Sequence, residues 1–117
     1  MKFTLLAIML ALIVCSCTKE QSIIPPSDNW SGKYTGLRDS GTFKITITNG
    51  EVTGTSTSYV YRETVDVHGT LTNGTLRATA GTATSGATFN GTVYTTSANG
   101  TWYNTYQFTG TWSAVKY

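Results

Sequence analysis

Beyond the two cysteines near its start, acid–base or metal chemistry in this chain would have to come from one histidine, His68, and six carboxylates: Glu20, Asp28, Asp39, Glu51, Glu63 and Asp66. Metal sites gather several His, Cys or carboxylate ligands, and His68 stands alone, out of phase with its apolar neighbours Val67 and Gly69. That spacing places it on the polar face of a strand. Glu63 and Asp66 are the nearest acidic pair. Their odd separation sends the two side chains to opposite faces of a straight strand, which argues against the facing carboxyls of a glycosidase. The chain contains no Gly-x-Ser-x-Gly elbow and no glycine-rich phosphate loop ahead of a helix. It reads as a non-enzyme, with no cofactor and no metal.

The aromatic residues remain. Trp30, Tyr34, Phe43, Phe89, Trp102, Tyr106, Phe108 and Trp112 recur at even spacings within their segments, and aromatic side chains dominate protein cores. A filled interior is the first reading of such a set. The sharper reading places Trp102 and Tyr106, with Asn104 between them, at the mouth of a pocket for a small apolar or sugar-like ligand. Trp30, Tyr34 and Trp112 complete that candidate ligand-binding set. Tyr59-Val60-Tyr61 is the candidate surface for a protein partner.

The elements that must carry these residues are strands. Thr is the commonest residue and Gly occurs 12 times; Thr, Tyr, Val and Trp favour a pleated, half-buried surface, and Gly suits turns and bends. Trp30–Gly36 alternates large or Gly residues with polar ones. Thr42–Thr48 puts Phe43, Ile45 and Ile47 on one face, and Asn49-Gly50 supplies the positive φ angles of a two-residue hairpin into Glu51–Thr57. Tyr59–Glu63 either prolongs that strand or forms a longer connection. Thr64–Leu71 follows, then a turn at Asn73-Gly74, then Thr75–Ala80. Ala87–Thr96 comes next, a third Asn-Gly turn is expected at Asn99-Gly100, and Trp102, Tyr106, Phe108, Gly110 and Trp112 share the face of the last segment.

One phrase runs through the chain: Val52-Thr-Gly-Thr, Val67-His-Gly-Thr-Leu, Phe89-Asn-Gly-Thr-Val and Phe108-Thr-Gly-Thr-Trp. On strands its apolar residues and glycines point inward, while Asn and Thr point out. The inward glycines either relieve crowding where a sheet coils tightly or bulges or leave a hollow lined by the aromatics. One-sided alternation belongs to antiparallel sheets. The fold class is an all-β, antiparallel up-and-down meander of seven to eight strands, closed or nearly closed into a small barrel. Closure would pair Trp30 with Trp112, Gly32 with Gly110 and Tyr34 with Phe108. An even strand count is needed for that contact, and the eighth strand exists only if Tyr103-Asn104-Thr105 is a turn or Tyr59–Tyr61 pairs separately.

The N-terminal stretch is of a different kind. Lys2 precedes an apolar run from Phe3 to Val14 that is too short for a permanent membrane helix, the form of a secretory signal peptide over residues 1–16. Both cysteines fall here, at Cys15 and Cys17, where a disulfide would close a trivially short loop. Val14-Cys15-Ser16-Cys17 resembles the lipobox of bacterial lipoproteins, in the relaxed form of the Bacteroidota. The resemblance implies cleavage before Cys17, lipidation of Cys17 and, with Thr18 following, an outer-membrane lipoprotein of the cell envelope. Residues 17–29 then read as lipidated N-terminus and tether, stiffened by Pro25-Pro26, and residues 30–117 as the barrel domain. Loss of Lys2 with the leader leaves seven basic against six acidic side chains, scattered, so a nucleic-acid partner is not expected.

Trp30-x-Gly-x-Tyr, the glycine-spaced strands and the closing Gly110-Thr-Trp112 resemble the small calycin-type barrels, lipocalin-like and avidin-like, of envelope lipoproteins. Gly32 stands where the avidin pattern has a biotin-binding Asn, and Asp28-Asn29 stands where the lipocalin Gly-x-Trp signature would begin. The resemblance therefore implies a fold and a binding role without a ligand. Expected is a lipid-anchored, non-catalytic binding module for a small apolar or sugar-like ligand. The alternative is a structural or protein-interaction lipoprotein, an enzyme inhibitor for instance, with a filled core.

Overall fold

A computed structural model describes residues 27–82 and 85–117. The stretch read as a signal peptide, Cys17 and most of the stretch read as a tether lie outside the described residues. Eight strands follow one another: β1 (Ser27–Gly36), β2 (Gly41–Thr48), β3 (Glu51–Ser58), β4 (Thr64–Thr72), β5 (Thr75–Ala80), β6 (Ala87–Val93), β7 (Ser97–Asn104) and β8 (Thr109–Lys116). Each pairs antiparallel with the next, and β8 returns to β1, so the meander closes into a barrel. Closure leaves no unpaired edge.

The two-residue hairpins form where Asn-Gly demands them. Asn49 and Gly50 have φ of 51° and 82°, and Asn73 and Gly74 have φ of 50° and 79°, the left-handed pair of a type I′ turn. Asn99-Gly100 does not turn. It runs through the middle of β7, where Asn99 pairs with Thr92 and Gly100 with Gly91; the chain reverses earlier, at Tyr94–Thr96, beyond the end of β6. The last segment is likewise two strands, broken at Thr105–Phe108, which supplies the eighth strand. β1 starts at Ser27, so Ser27–Asn29 pair with Thr46–Thr48 instead of belonging to the tether.

β1 and β8 touch as expected, in a different register. Tyr34 faces Trp112 and Gly36 faces Gly110, while Trp30 lies opposite Lys116. The slip relative to the expected pairs is four residues, an even number, so every side chain keeps its face. A walk from partner to partner once round the wall leaves β1 at Gly36 and returns to it at Asp28, eight residues away. Eight strands with a shear of eight give a narrow barrel whose interior side chains can fill.

They do fill it. Phe89 is the hub: its ring lies 5.6 Å from Tyr34, 5.8 Å from Phe43, 6.4 Å from Trp102 and 6.5 Å from Trp112, centroid to centroid. Below it Ile45, Ile47, Val52, Val67, Leu76 and Ala98 are buried. An interior void there is about 20 Å³, walled by Phe43, Ile45, Val67, Leu76, Ala78, Phe89 and Trp112 with Ser56. That is close to the space of a single water.

The inward glycines relieve crowding, the first of the two readings, though not at bulges. The ladders run without a bulge, and the glycines open no hollow. They let rings lie against the wall. A Cβ on Gly91 would sit 2.5 Å from Cζ2 of Trp112, one on Gly110 would sit 2.6 Å from Nε1 of Trp102, and one on Gly32 would run into Phe43. Both indoles anchor to the wall one or two strands away: Trp102 Nε1 donates to Thr35 O at 3.0 Å, and Trp112 Nε1 to Asn90 O and Thr101 O at 3.1 Å each.

Outside, the strands present Thr, Lys, Asp, His and Arg, and His68 is exposed between Thr53 and Thr79 on the neighbouring strands. A membrane-spanning barrel carries an apolar band on that surface; this one is polar there.

Candidate functional site

The two ends of the barrel differ. One end holds the tight turns after β2, β4 and β6, together with Ser27 and Lys116. The other holds the four longer connections, Leu37–Ser40, Tyr59–Glu63, the β5–β6 connection and Thr105–Phe108. Two non-glycine residues with positive φ sit in these longer connections, Arg62 at 57° and Gln107 at 67°. Left-handed backbone costs a non-glycine residue about 1–2 kcal/mol, so this end is held in shape by its own contacts.

Those contacts converge on Asp39. Its Oδ1 accepts from the Ser58 hydroxyl at 2.6 Å and from the Ser40 amide at 2.8 Å, and its Oδ2 accepts from the Tyr34 hydroxyl at 3.3 Å. Ser58 Oγ in turn accepts from the amides of Val60 and Tyr61 at 3.2 and 3.0 Å. The β1–β2 connection is thereby pinned to the β3–β4 connection. Burial, and then the negative charge of Asp39, push the Tyr34 hydroxyl up to a pKa of about 12 from its ordinary 10.0. Burial and a neighbouring anion both disfavour the phenolate.

Between these connections opens a cup of about 400 Å³. Phe89 and Trp102 form its floor and inner wall, Tyr34, Ser56 and Ser58 supply hydroxyls, and Tyr61 and Tyr106 stand at its rim with Asp39, Glu63 and Asn104. Phe89 and Ser56 border both the cup and the small void, so Phe89 is the plug that separates mouth from core.

Of the residues singled out in the sequence, Tyr34, Trp102, Asn104 and Tyr106 meet in the cup. Trp112 lies one level deeper, beside the void. Trp30 borders neither space; it is buried in the half away from the cup, its Nε1 without a partner among the described residues. Asn104 has a second role. Its Oδ1 accepts from the amides of Tyr106 and Phe108, at 3.0 and 2.9 Å, and so builds the β7–β8 turn. Tyr59 and Tyr61 are both exposed in the β3–β4 turn, with Tyr61 alone bordering the cup. Leu37, Val60 and Tyr106 are exposed on the same rim, and Arg38 stacks over Phe108 at 5.2 Å.

Sequence reasoning missed Asp39, Ser58 and Glu63. Ser58 and Glu63 close one connection, where Ser58 N donates to Glu63 O at 3.0 Å, and Asp39 is brought to them from the preceding connection by the pairing of β2 with β3, which places Gly41 opposite Ser58. The nearest available signal was Asp39-Ser40 in a short connection, since Asp commonly bonds a nearby backbone amide in turns.

The class this geometry defines is a closed, eight-stranded up-and-down barrel with a filled core and a polar–aromatic cup at one end. No family model matches the chain, and neither the curated proteins nor the solved structures compared with it give a match.

Proposed function

We propose that the protein is a non-catalytic binding module of the cell envelope, anchored by lipid on Cys17, that takes a small apolar or sugar-like ligand in the cup at the barrel mouth. The observation that carries this is the cup itself: about 400 Å³, within the range of about 300–1,000 Å³ typical of small-ligand sites. Its aromatic floor suits a ring or an apolar chain, and its hydroxyls and carboxylates suit hydroxyl donors. The filled interior keeps the ligand at the mouth. The calycin resemblance supports the same role on a meander barrel.

The direction of β1 supports a cup that faces away from the lipid. The tether joins at Ser27, on the tight-turn end, and β1 runs ten residues from there to the mouth, roughly 30 Å of chain at about 3.3 Å per residue. An anchored molecule would offer the cup outward.

A second reading is favoured by the exposed rim. Leu37, Tyr59, Val60, Tyr61 and Tyr106 surround the cup, and aromatic residues are enriched where proteins meet. In that reading the rim docks an envelope or host protein. Native mass spectrometry of the protein purified from its own cells separates the two. A retained small-molecule mass that is lost in Trp102→Ala supports the cup; a retained protein with no small-molecule mass supports the rim. Neither mass, together with no change of Trp fluorescence against an envelope extract, would sink the binding role.

A further inference from the structure

We propose that the ligand of the cup carries an ammonium group and that Asp39 receives it. The inference rests on the reading of the mouth as a ligand site and names the chemistry of what enters. The charged side chains lining the cup are Asp39 and Glu63; no Lys, Arg or His lines it. Among the described residues the one ion pair is Lys116 with Asp28, at the opposite end of the barrel. The lining therefore carries two carboxylates and no cation, while Arg38, over Phe108, and Arg62 stand on the flanking connections outside it.

The carboxylate is also held in place. Ser58, Ser40 and Tyr34 are neutral donors, and together they fix both oxygens of Asp39. An ionised carboxylate offers about four lone-pair sites, and these three bonds leave acceptor capacity for a ligand. Fixed dipoles around an anion preorganise it for a cation without removing its charge.

The remaining wall suits a cation as well. Tyr34 meets Phe89 and Trp102 edge-on at 5.6 and 5.5 Å, and Tyr61 and Tyr106 flank the opening. Trp102 is 1 % exposed, with its indole N–H spent on Thr35 O, so it backs the cup from beneath, and the rings open to an ammonium group are those of Tyr61 and Tyr106 at the opening. A cleft lined by one sign of charge concentrates the opposite ion. The ligand class is a small amine on an apolar or sugar-like body; an anion of the same shape is repelled.

The test titrates the full chain with cyclohexylamine, cyclohexanol and cyclohexanecarboxylate at neutral pH, following the Trp102 indole N–H signal by NMR, with Trp30 as internal control. The amine is expected to saturate the Trp102 shift with a Kd at least about tenfold below that of the alcohol, because a charge-assisted bond outweighs a neutral one. The carboxylate is expected to leave the signal in place. In Asp39→Asn, which keeps an oxygen for Ser58 and Ser40, amine and alcohol should converge to within about twofold. Equal binding of amine and alcohol by the unaltered protein would overturn the ammonium assignment and leave the cup standing. No movement of Trp102 with any of the three would overturn both. An amine preference that survives in Asp39→Asn would remove Asp39 as the receptor.

Discussion

Ser58 and Asp39 lie 19 positions apart and share a 2.6 Å hydrogen bond. Through it the end of β3 grips the connection that follows β1. Because Ser58 Oγ also receives the Val60 and Tyr61 amides, one hydroxyl organises two sides of the mouth.

Ser58→Ala should therefore loosen the mouth specifically. The substitution strands two backbone donors and removes one partner of Asp39, which corresponds to about 1–3 kcal/mol when a part-buried group is left unsatisfied. Hydrogen exchange is the check: the Val60 and Tyr61 amides should exchange faster, while the Leu71 amide, bonded to Gly50 O at the other end, should keep its protection relative to the global stability.

Gly91→Val tests the account of the inward glycines. The added side chain must share space with Cζ2 of Trp112, 2.5 Å from the first new carbon, and with the Asn99 carbonyl. Overpacking of this sort costs about 1–3 kcal/mol or more. Thr92→Val, on the exposed face one residue along, should stay within about 0.5 kcal/mol of the unaltered protein. Urea denaturation of the pair measures both. If Gly91 marked only a bend, the two substitutions would differ little.

Much of this barrel could be read from residue order. Period-two alternation located the strands, and Asn49-Gly50 and Asn73-Gly74 turned where positive φ was needed. The failures share a physical origin in closure. Trp30-x-Gly-x-Tyr-x-Gly repeats on a period of two, so several even registers against β8 look equally good locally. The register that forms is the one whose shear closes eight strands round a solid core, and it sets Tyr34 on Trp112. The same demand overrides the turn signal of Asn99-Gly100, because Trp102 must reach Phe89 along β7. The cup was half legible: Tyr34, Trp102, Asn104 and Tyr106 announced themselves as aromatic or amide residues, whereas Asp39, Ser58 and Glu63 looked like ordinary connection residues until the register of β2 with β3 set Gly41 opposite Ser58 and so brought their two connections together.

Tyr34 gives the barrel a pH signature. Its folded pKa is about 12 against 10.0 for an unburied tyrosine, so the unfolded chain loses this proton first. Stabilisation from the neutral hydroxyl is complete below pH 10.0, declines as pH rises from 10.0, and is gone above about 12. Urea midpoints followed across that window should fall, and Tyr34→Phe should remove this component of the decline, leaving only that of the exposed residues. Loss of the Asp39 contact lowers the starting stability of Tyr34→Phe, so the slope with pH is the diagnostic.

Phe89→Ala addresses the separation of mouth from core. Phe89 stands between the cup and the 20 Å³ void and touches four other rings. Removing it should cost about 3–5 kcal/mol, the transfer energy of the ring plus that of the cavity it leaves. The narrow shear keeps the wall from collapsing into the gap, because strand spacing and register fix the barrel's diameter. The void and the cup should then join into one apolar shaft open at the mouth. Apolar cavities of this kind take up benzene, so benzene should raise the thermal midpoint of the variant and leave that of the unaltered protein in place. A variant that loses the expected stability without gaining a benzene response would mean that Trp102 and Trp112 had swung in to fill the space, and the near-ultraviolet circular dichroism of their indoles would report that movement.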